Sequence, residues 1–409
     1  MIVRSAAGEP IGTVLLRLIR PLYLPTFLIS LGTGMLIPIL PLYLREIGLS
    51  YQLVTTVLAA AGIGGLLGQV PIGTAITRLG ERRVVVAATL VLALSIALLG
   101  VSSTTIVLAS FRLTGGFANT GWTLSRHSFV STSVAPEVRG RVSSTFGGVA
   151  RTAWLLGPLL GGIAAASFGY TAAFALTGVV TLTGLIPLLS ADARHGMPPP
   201  KAPADRRRLW DVFRRNRGPL IAASTVQIFV TGARAGRLVV IPLLGAALGL
   251  DVANVGVLVA VGGATELLLF PLSGWLMDRF SRLAASVPAL SLIAVGLFVA
   301  AAATTPAVLV VGAAIAGLGN GLGAGILLTI RADIAPRGDA VQFLSLLGSA
   351  EEAGRVFGPV VVGVIADRIG LGASAVALGI VALVAVGLLV GVLGDTTHSQ
   401  PGNQPPRSA

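Results

Sequence analysis

Twelve long apolar runs, separated by short charged or turn-forming segments, constrain this chain more than any other feature. In the first half they are Pro21–Leu44, Leu53–Thr77, Val84–Val101, Ile106–Ser125, Ser143–Ser167 and Tyr170–Leu189. In the second half they are Pro219–Leu248, Val252–Met277, Leu283–Ala303, Ala307–Ile330, Phe343–Ala366 and Leu371–Leu393. A helix crossing a bilayer needs about 20 apolar residues. Lipid offers no hydrogen-bond partner to an open backbone, so runs of this length read as spanning helices. The expected fold class is therefore an all-α membrane protein with twelve transmembrane helices. Only 11% of the 409 residues are charged, whereas a soluble domain carries about 25%. That excludes an ordinary soluble enzyme, a disordered chain and a nucleic-acid-binding domain, despite a formal charge of +13. With no cysteine there is no disulfide framework, cysteine nucleophile or thiolate metal site. The first run is too long for a cleavable signal peptide.

The basic residues set the orientation. Of 29, 22 fall in segments on the side of the two termini and the central linker, which this asymmetry assigns to the cytoplasm. Only Arg45 and Arg368 fall in the opposite loops, and Arg112, Arg151, Arg234, Arg237 and Arg355 lie within runs. The positive charge is thus a topology signal. All the basic residues but Lys201 are Arg, which with abundant Ala and Gly points to a GC-rich bacterial genome. The expected location is a bacterial cytoplasmic (inner) membrane, multi-pass, with both termini inside.

Residues 191–217 interrupt the apolar rhythm. A proline stretch, Met197 to Pro203, reads as a semi-rigid spacer. Leu209, Trp210 and Phe213 among arginines read as an amphipathic helix on the inner membrane surface. The expected division is a six-helix bundle at 1–190, a basic cytoplasmic linker at 191–217, a second six-helix bundle at 218–394 and a cytoplasmic tail at 395–409. An offset of about 201 residues relates the halves: Pro41 matches Pro242, Gly73 matches Gly274, Arg78 matches Arg279, Gly147 matches Gly348, and Gly157-Pro158 matches Gly358-Pro359. Two such halves in parallel form a duplicated transporter with its substrate site between them, near the midplane.

Four motifs carry a resemblance to a known family. The loop Gly73-Thr-Ala-Ile-Thr-Arg-Leu-Gly-Glu-Arg-Arg, with Arg78 and Arg82, resembles G-x-x-x-D-R-x-G-R-R, although Thr77 stands where the motif has Asp. The second copy, from Gly274, keeps Asp278 and Arg279. Run 4 carries Arg112 and Gly116 in the spacing of R-x-x-x-G-x-G, with Ala118 in place of the last Gly. Run 5 carries Gly157-Pro158-Leu-Leu-Gly161-Gly162, similar to G-P-x-x-G-G. Over residues 15–395 the chain resembles the major facilitator superfamily, and its drug:proton antiporters in particular. The resemblance implies two pseudo-symmetric bundles, cytoplasmic gating loops that include Arg139 and Arg141, and a hinge or seal at Gly157, Pro158, Gly161, Gly162, Gly358 and Pro359. A static kink from the prolines is the plainer reading. Gly317, Gly321 and Gly325 read as a close-packing stripe.

Charges inside a membrane cost roughly 2.5–3.5 kcal/mol each on insertion scales, so each needs a reason. Glu266 in run 8 and Glu351 and Glu352 in run 11 are the three acids within runs. Arg234 and Arg237, three apart, share a face of run 7, and Glu266 is the nearest acid in sequence. Glu351 and Arg355 form an i, i+4 pair. Proton coupling is expected from Glu266, Glu352 and Arg112; a substrate cavity from Arg234, Arg237, Arg151, Trp122 and Trp154. Structural ion pairs and apolar packing are the alternatives. The leading function is proton-coupled efflux of small, largely apolar compounds by a monomer, without cofactor, metal or nucleic acid. A carrier of organic or phosphate-bearing anions, using the cavity arginines, is the second reading. A non-transporting receptor is a remote third.

Overall fold

A computed structural model describes residues 11–189, 206–336 and 340–396. Among these residues the backbone is helical with no strand. In the first half, α1 is Leu24–Glu46, α2 Tyr51–Leu79, α3 Glu81–Ala97 and α4 Thr105–Ser133. The helical run Pro136–Thr183 turns at Gly169, whose φ is +79°, and so divides into α5 (136–168) and α6 (170–183, continued by Leu185–Leu189). In the second half, α7 is Arg217–Ala247, α8 Val252–Arg279 and α9 Arg282–Ala301. Helix α10 has two parts, Pro306–Leu322 and Ile326–Ile334; α11 is Ala340–Arg368 and α12 Leu371–Thr396. Short helices Ile11–Arg17 and Arg206–Arg215 precede α1 and α7. The proline stretch and the end of the tail lie outside the described residues.

The twelve apolar runs each become a helix, with three departures. Helix α5 begins at Pro136, seven residues before Ser143. Helix α4 runs eight residues past Ser125, carrying Arg126 inside the protein rather than in a loop. Helix α10 breaks at 323–325, where Gly325 takes a left-handed φ of +82°. The stripe reading therefore holds for Gly317 and Gly321, where an added Cβ would enter the α8 backbone at Gly262 and Glu266. It fails for Gly325, which supplies a turn instead of a contact.

The repeat is visible in the backbone itself. Gly48 and Gly249 have φ of +87° and +84°, and Gly169 and Gly370 have φ of +79° and +120°, each pair 201 residues apart. These are helix-ending positions whose positive φ favours glycine over any residue with a side chain. Ser50 caps α2 by accepting from the Leu53 N–H at 3.3 Å, and Asp251, again 201 residues on, caps α8 by accepting from Asn254 at 2.8 Å.

Within the first half α1 lies along α5 and α2 along α4; within the second, α7 lies along α11 and α8 along α10. The halves meet at α2 against α11 and α5 against α8. Glycines permit the closest crossings: a Cβ on Gly64 would enter the α4 backbone at Leu113, and one on Gly116 the α2 backbone at Ala61.

The two ends of the bundle differ. At the face away from the linker, a methyl on Gly162 would lie 2.6 Å from the Val252 oxygen, and Val252 and Val255 join Leu36, Ile39, Leu40 and Tyr43 in one apolar cluster. Nearer the linker face the same helices part. The nearest cross-half neighbours of Gly147 and Gly348 are Phe270 and Gln69, both at 3.9 Å from an added Cβ, and Gly73 and Gly274 meet nothing within 4 Å. The halves are closed at the far face and separated toward the linker face.

Candidate functional site

Glu266, midway along α8, sits at the boundary of the halves with its side chain 12% exposed. Its Oε2 accepts from Asn320 Nδ2 of α10 at 2.6 Å and faces Arg237 Nη2 of α7 at 3.5 Å. Its Oε1 faces Arg151 Nε of α5 at 3.4 Å, although that Nε lacks hydrogen-bond geometry to any acceptor. The Arg151 guanidinium lies over the Phe270 ring at 4.4 Å. Both arginine contacts exceed the 2.7–2.9 Å of a tight charge-assisted bond. The carboxylate is therefore held firmly by a neutral amide and loosely by two cations, one from each half. Among the described residues, Glu266–Arg151 is the one ion pair that joins the halves.

Of the two arginines on the shared face of run 7, Arg237 meets Glu266 and Arg234 is used differently. Its Nη2 donates to the Gly323 carbonyl at 2.8 Å, and Ser273 donates to the Ala324 carbonyl at 2.6 Å. The break in α10 frees those carbonyls from helical pairing, and a buried carbonyl must find a donor. Three residues along a helix is about 4.5 Å of rise, enough to carry Arg237 to the acid and leave Arg234 at the break.

A second cluster lies on α11. Glu351 accepts from Arg355 Nη2 at 2.9 Å, as expected, and also from Arg331 Nη2 of α10 at 2.7 Å. Arg331 Nε donates to Gln227 Oε1 of α7 at 3.1 Å. Glu352 faces Arg355 Nε at 3.6 Å and packs against Gly65 of α2. Arg112, in α4, has its Nε buried with no hydrogen-bond partner among the described residues.

Of the two tryptophans expected in the cavity, Trp154 is 47% exposed, whereas Trp122 is buried at 5% within the first-half core. The Arg126 guanidinium lies 5.0 Å from the Trp122 ring centroid and donates to the Pro21 carbonyl at 2.7 Å. Trp122 is thus packing beneath a structural arginine and does not line open space. Gly157 and Gly161 lie against Gly34 and Met35 of α1, Gly162 against α8, and Gly358 against Gly232 of α7. Pro158 and Pro359 lie inside continuous helices.

At the linker face, Arg78, Arg279 and Arg141 are exposed and Arg82 is half-buried. Arg139 Nη2 donates to the Ser131 and Val134 carbonyls at 2.9 and 3.1 Å, closing the end of α4. Asp278 lies in the last turn of α8, and its side chain is outside the described residues. Glu81, 5% exposed, accepts from Ser128, so the first half places its buried acid four residues beyond Thr77.

Asn320, Gln227 and Arg331 escaped the charge-based reading. The first two are uncharged, and Arg331 lies one residue past the apolar run that ended at Ile330. A lone polar residue in the glycine-rich stretch of run 10, Asn320 between Gly317 and Gly321, is the signal that marks the first of them.

The architecture is thus two helical bundles in parallel, with a buried acid bridged across their boundary. The family model described as Major Facilitator Superfamily matches residues 22–235 and 223–409, and the chain belongs to that family. It is 28% identical over 177 residues to the multidrug resistance protein MdtG of Proteus mirabilis (strain HI4320), a match covering 42% of this chain and 43% of that protein. It is 25% identical over 165 residues to MdtG of Salmonella arizonae, covering 39% and 41%. The matched stretch thus spans under half the length of these relatives. Among solved structures, a bacterial homologue of the human drug peptide transporters PepT1 and PepT2 matches with a TM-score of 0.75 at 14% identity, covering 94% of this chain and 99% of that one. The human organic anion transporter MFSD10 (TETRAN) matches with a TM-score of 0.69 at 18% identity, covering 93% and 100%. At these identities the structures share the fold.

Proposed function

We propose that the chain is a proton-driven exporter of small, largely apolar compounds, working by alternating access as a monomer in a bacterial cytoplasmic membrane. In this reading both termini and the linker at 191–217 are cytoplasmic, and two six-helix bundles at 1–190 and 218–394 rock about the central site. The observation that carries it is Glu266, bridged loosely to Arg151 across the halves. A proton arriving at Oε1 neutralises the carboxylate and ends its attraction to Arg151, so α5 and α8 are free to part. Loss of that proton restores the pair. The likeness to MdtG supports a drug-like substrate. Glu352 is a second proton site in reserve, and Arg112 acts on the pathway from the first half.

A second reading, a carrier of organic anions, is favoured by the excess of Arg112, Arg151, Arg234, Arg237, Arg331 and Arg355 over three glutamates in the helices around the site. In that case a substrate carboxylate takes the place of Glu266 on Arg151 and Arg237. Flux in inside-out vesicles with an imposed proton gradient, using dansylated drugs and organic acids, separates the two. The exporter reading expects uphill drug flux in the wild type, lost in Glu266→Gln with downhill exchange retained. Organic-acid flux that disappears in Arg237→Gln, without drug flux in the wild type, replaces it with the anion reading.

A further inference from the structure

The far face is closed on its two sides by different means. On the α5–α8 side the seal is apolar, with Val252 and Val255 set among first-half side chains. On the α2–α11 side it is polar. Asp367, in the last turn of α11, places Oδ1 2.9 Å from the Tyr51 N–H and Oδ2 2.9 Å from the Gln52 N–H. Tyr51 and Gln52 open α2, so these are two of the backbone donors that a helix start leaves without intrahelical acceptors. The helix already has its own cap in Ser50, which accepts from Leu53. Asp367 therefore completes a different pair of donors, and it does so from the other half of the protein. One turn earlier on α11, Gly363 lies so close to α2 that an added Cβ would sit 2.9 Å from the Thr55 Cβ and 3.0 Å from the Gln52 Cα. That contact brings the chains close enough for a short aspartate to reach both N–H groups.

The repeat makes the arrangement conspicuous. The residue 201 positions before Asp367 is Ala166, and the positions matching Tyr51 and Gln52 are Val252 and Ala253. The equivalent junction thus has the helix start, capped by Asp251, but no carboxylate reaching over from the other half. Only one of the two symmetric junctions is latched by charge.

We propose that Asp367 is the far-face latch of the transport cycle: its carboxylate, clamped on the first-turn N–H groups of α2, holds the halves together when the protein is open toward the linker face. Opening the far face requires α11 to leave α2, and both hydrogen bonds then break together. The bonds are charge-assisted and aligned with the positive end of the α2 dipole. They are also exposed to water, which keeps the latch weak enough to open in every cycle. The inference stands apart from the choice of substrate and from the role of Glu266, since it concerns only which face is closed.

The chain has no cysteine, so paired spin labels can be introduced without a background. One pair, Ile106→Cys with Thr304→Cys, reports the far face; the other, Leu79→Cys with Phe280→Cys, reports the linker face. Inter-label distances are measured on the full chain in lipid nanodiscs. In Asp367→Ala the ratio of far-face-open to far-face-closed protein is expected to rise about two- to fivefold, with longer far-face and shorter linker-face distances. Gln52→Pro removes one donor at a position in the first turn where proline is tolerated, and should shift both pairs in the same direction by a smaller amount. Unchanged distances in both variants overturn the latch. A shift in Asp367→Ala that Gln52→Pro fails to reproduce also overturns it, because the carboxylate would then act elsewhere than on the α2 start. Where Asp367→Ala does not yield folded protein, Asp367→Asn and Gln52→Pro decide the matter by the same criterion.

Discussion

In the first half α4 runs unbroken from Thr105 to Ser133 and carries Arg112 and Arg126; its counterpart α10 breaks at 323–325 and carries Asn320 and Arg331. The break changes what the neighbouring helix must do. It releases the Gly323 and Ala324 carbonyls, and Arg234 and Ser273 are spent on them. In the first half an arginine serves the same need at a different irregularity. Arg126 donates to the Pro21 carbonyl in the π-helical turn Ile19–Tyr23 that leads into α1. An intramembrane arginine is therefore not by itself a sign of substrate or proton chemistry. Two of this chain's arginines answer backbone defects, and the proton chemistry we propose rests on the acid that joins the halves. All three acids at the central clusters, Glu266, Glu351 and Glu352, belong to the second half, while the first contributes Arg112 and Arg151.

The sharpest way to break this division of labour is Glu266→Gln beside Glu352→Gln. The first should abolish uphill transport in proton-gradient flux assays, and the second should leave most of it. The reverse result would move the proton site to α11. Next in size, Arg126→Ala and Arg234→Ala should each lose about 1–3 kcal/mol of stability, the cost of a buried carbonyl left without its donor. Thermal unfolding of purified protein measures both, and a loss in only one would end the parallel between them. Gly325→Ala should cost about 1–2 kcal/mol, because alanine resists the left-handed conformation. Leu124→Gly, at the matching position inside intact α4, should cost about 1 kcal/mol from helix propensity, so the two halves would respond to opposite substitutions. Smallest, Ser50→Ala and Asp251→Ala should each cost about 0.5–2 kcal/mol and by similar amounts, since both remove the cap of an equivalent helix.

The helices were legible in the sequence because lipid enforces a simple rule: a span must be long, apolar and internally hydrogen-bonded. That rule alone yields the twelve helices, though not the full lengths of α4 and α5 or the break in α10, and the 201-residue offset reappears in the φ angles of Gly48 and Gly249 and of Gly169 and Gly370. The i, i+4 pair Glu351–Arg355 was legible for a related reason, as both members ride on one helix whose geometry is known in advance. Pairings between helices were not. Whether Glu266 meets Arg234, Arg237 or Arg151 depends on the rotation and height of α5, α7 and α8 relative to one another, and no periodicity within a single segment encodes those. Trp122 and Trp154 are alike in sequence, yet one is buried under Arg126 and the other is exposed. Asp367 reads as a surface charge at a helix end until α2 is brought against it. The sequence by itself determined which segments cross and that they cross twice in the same order. The tertiary structure decided which arginines are structural, which acid joins the halves and which face is shut, because a charge acquires a role only from the groups that packing sets within a few ångströms of it.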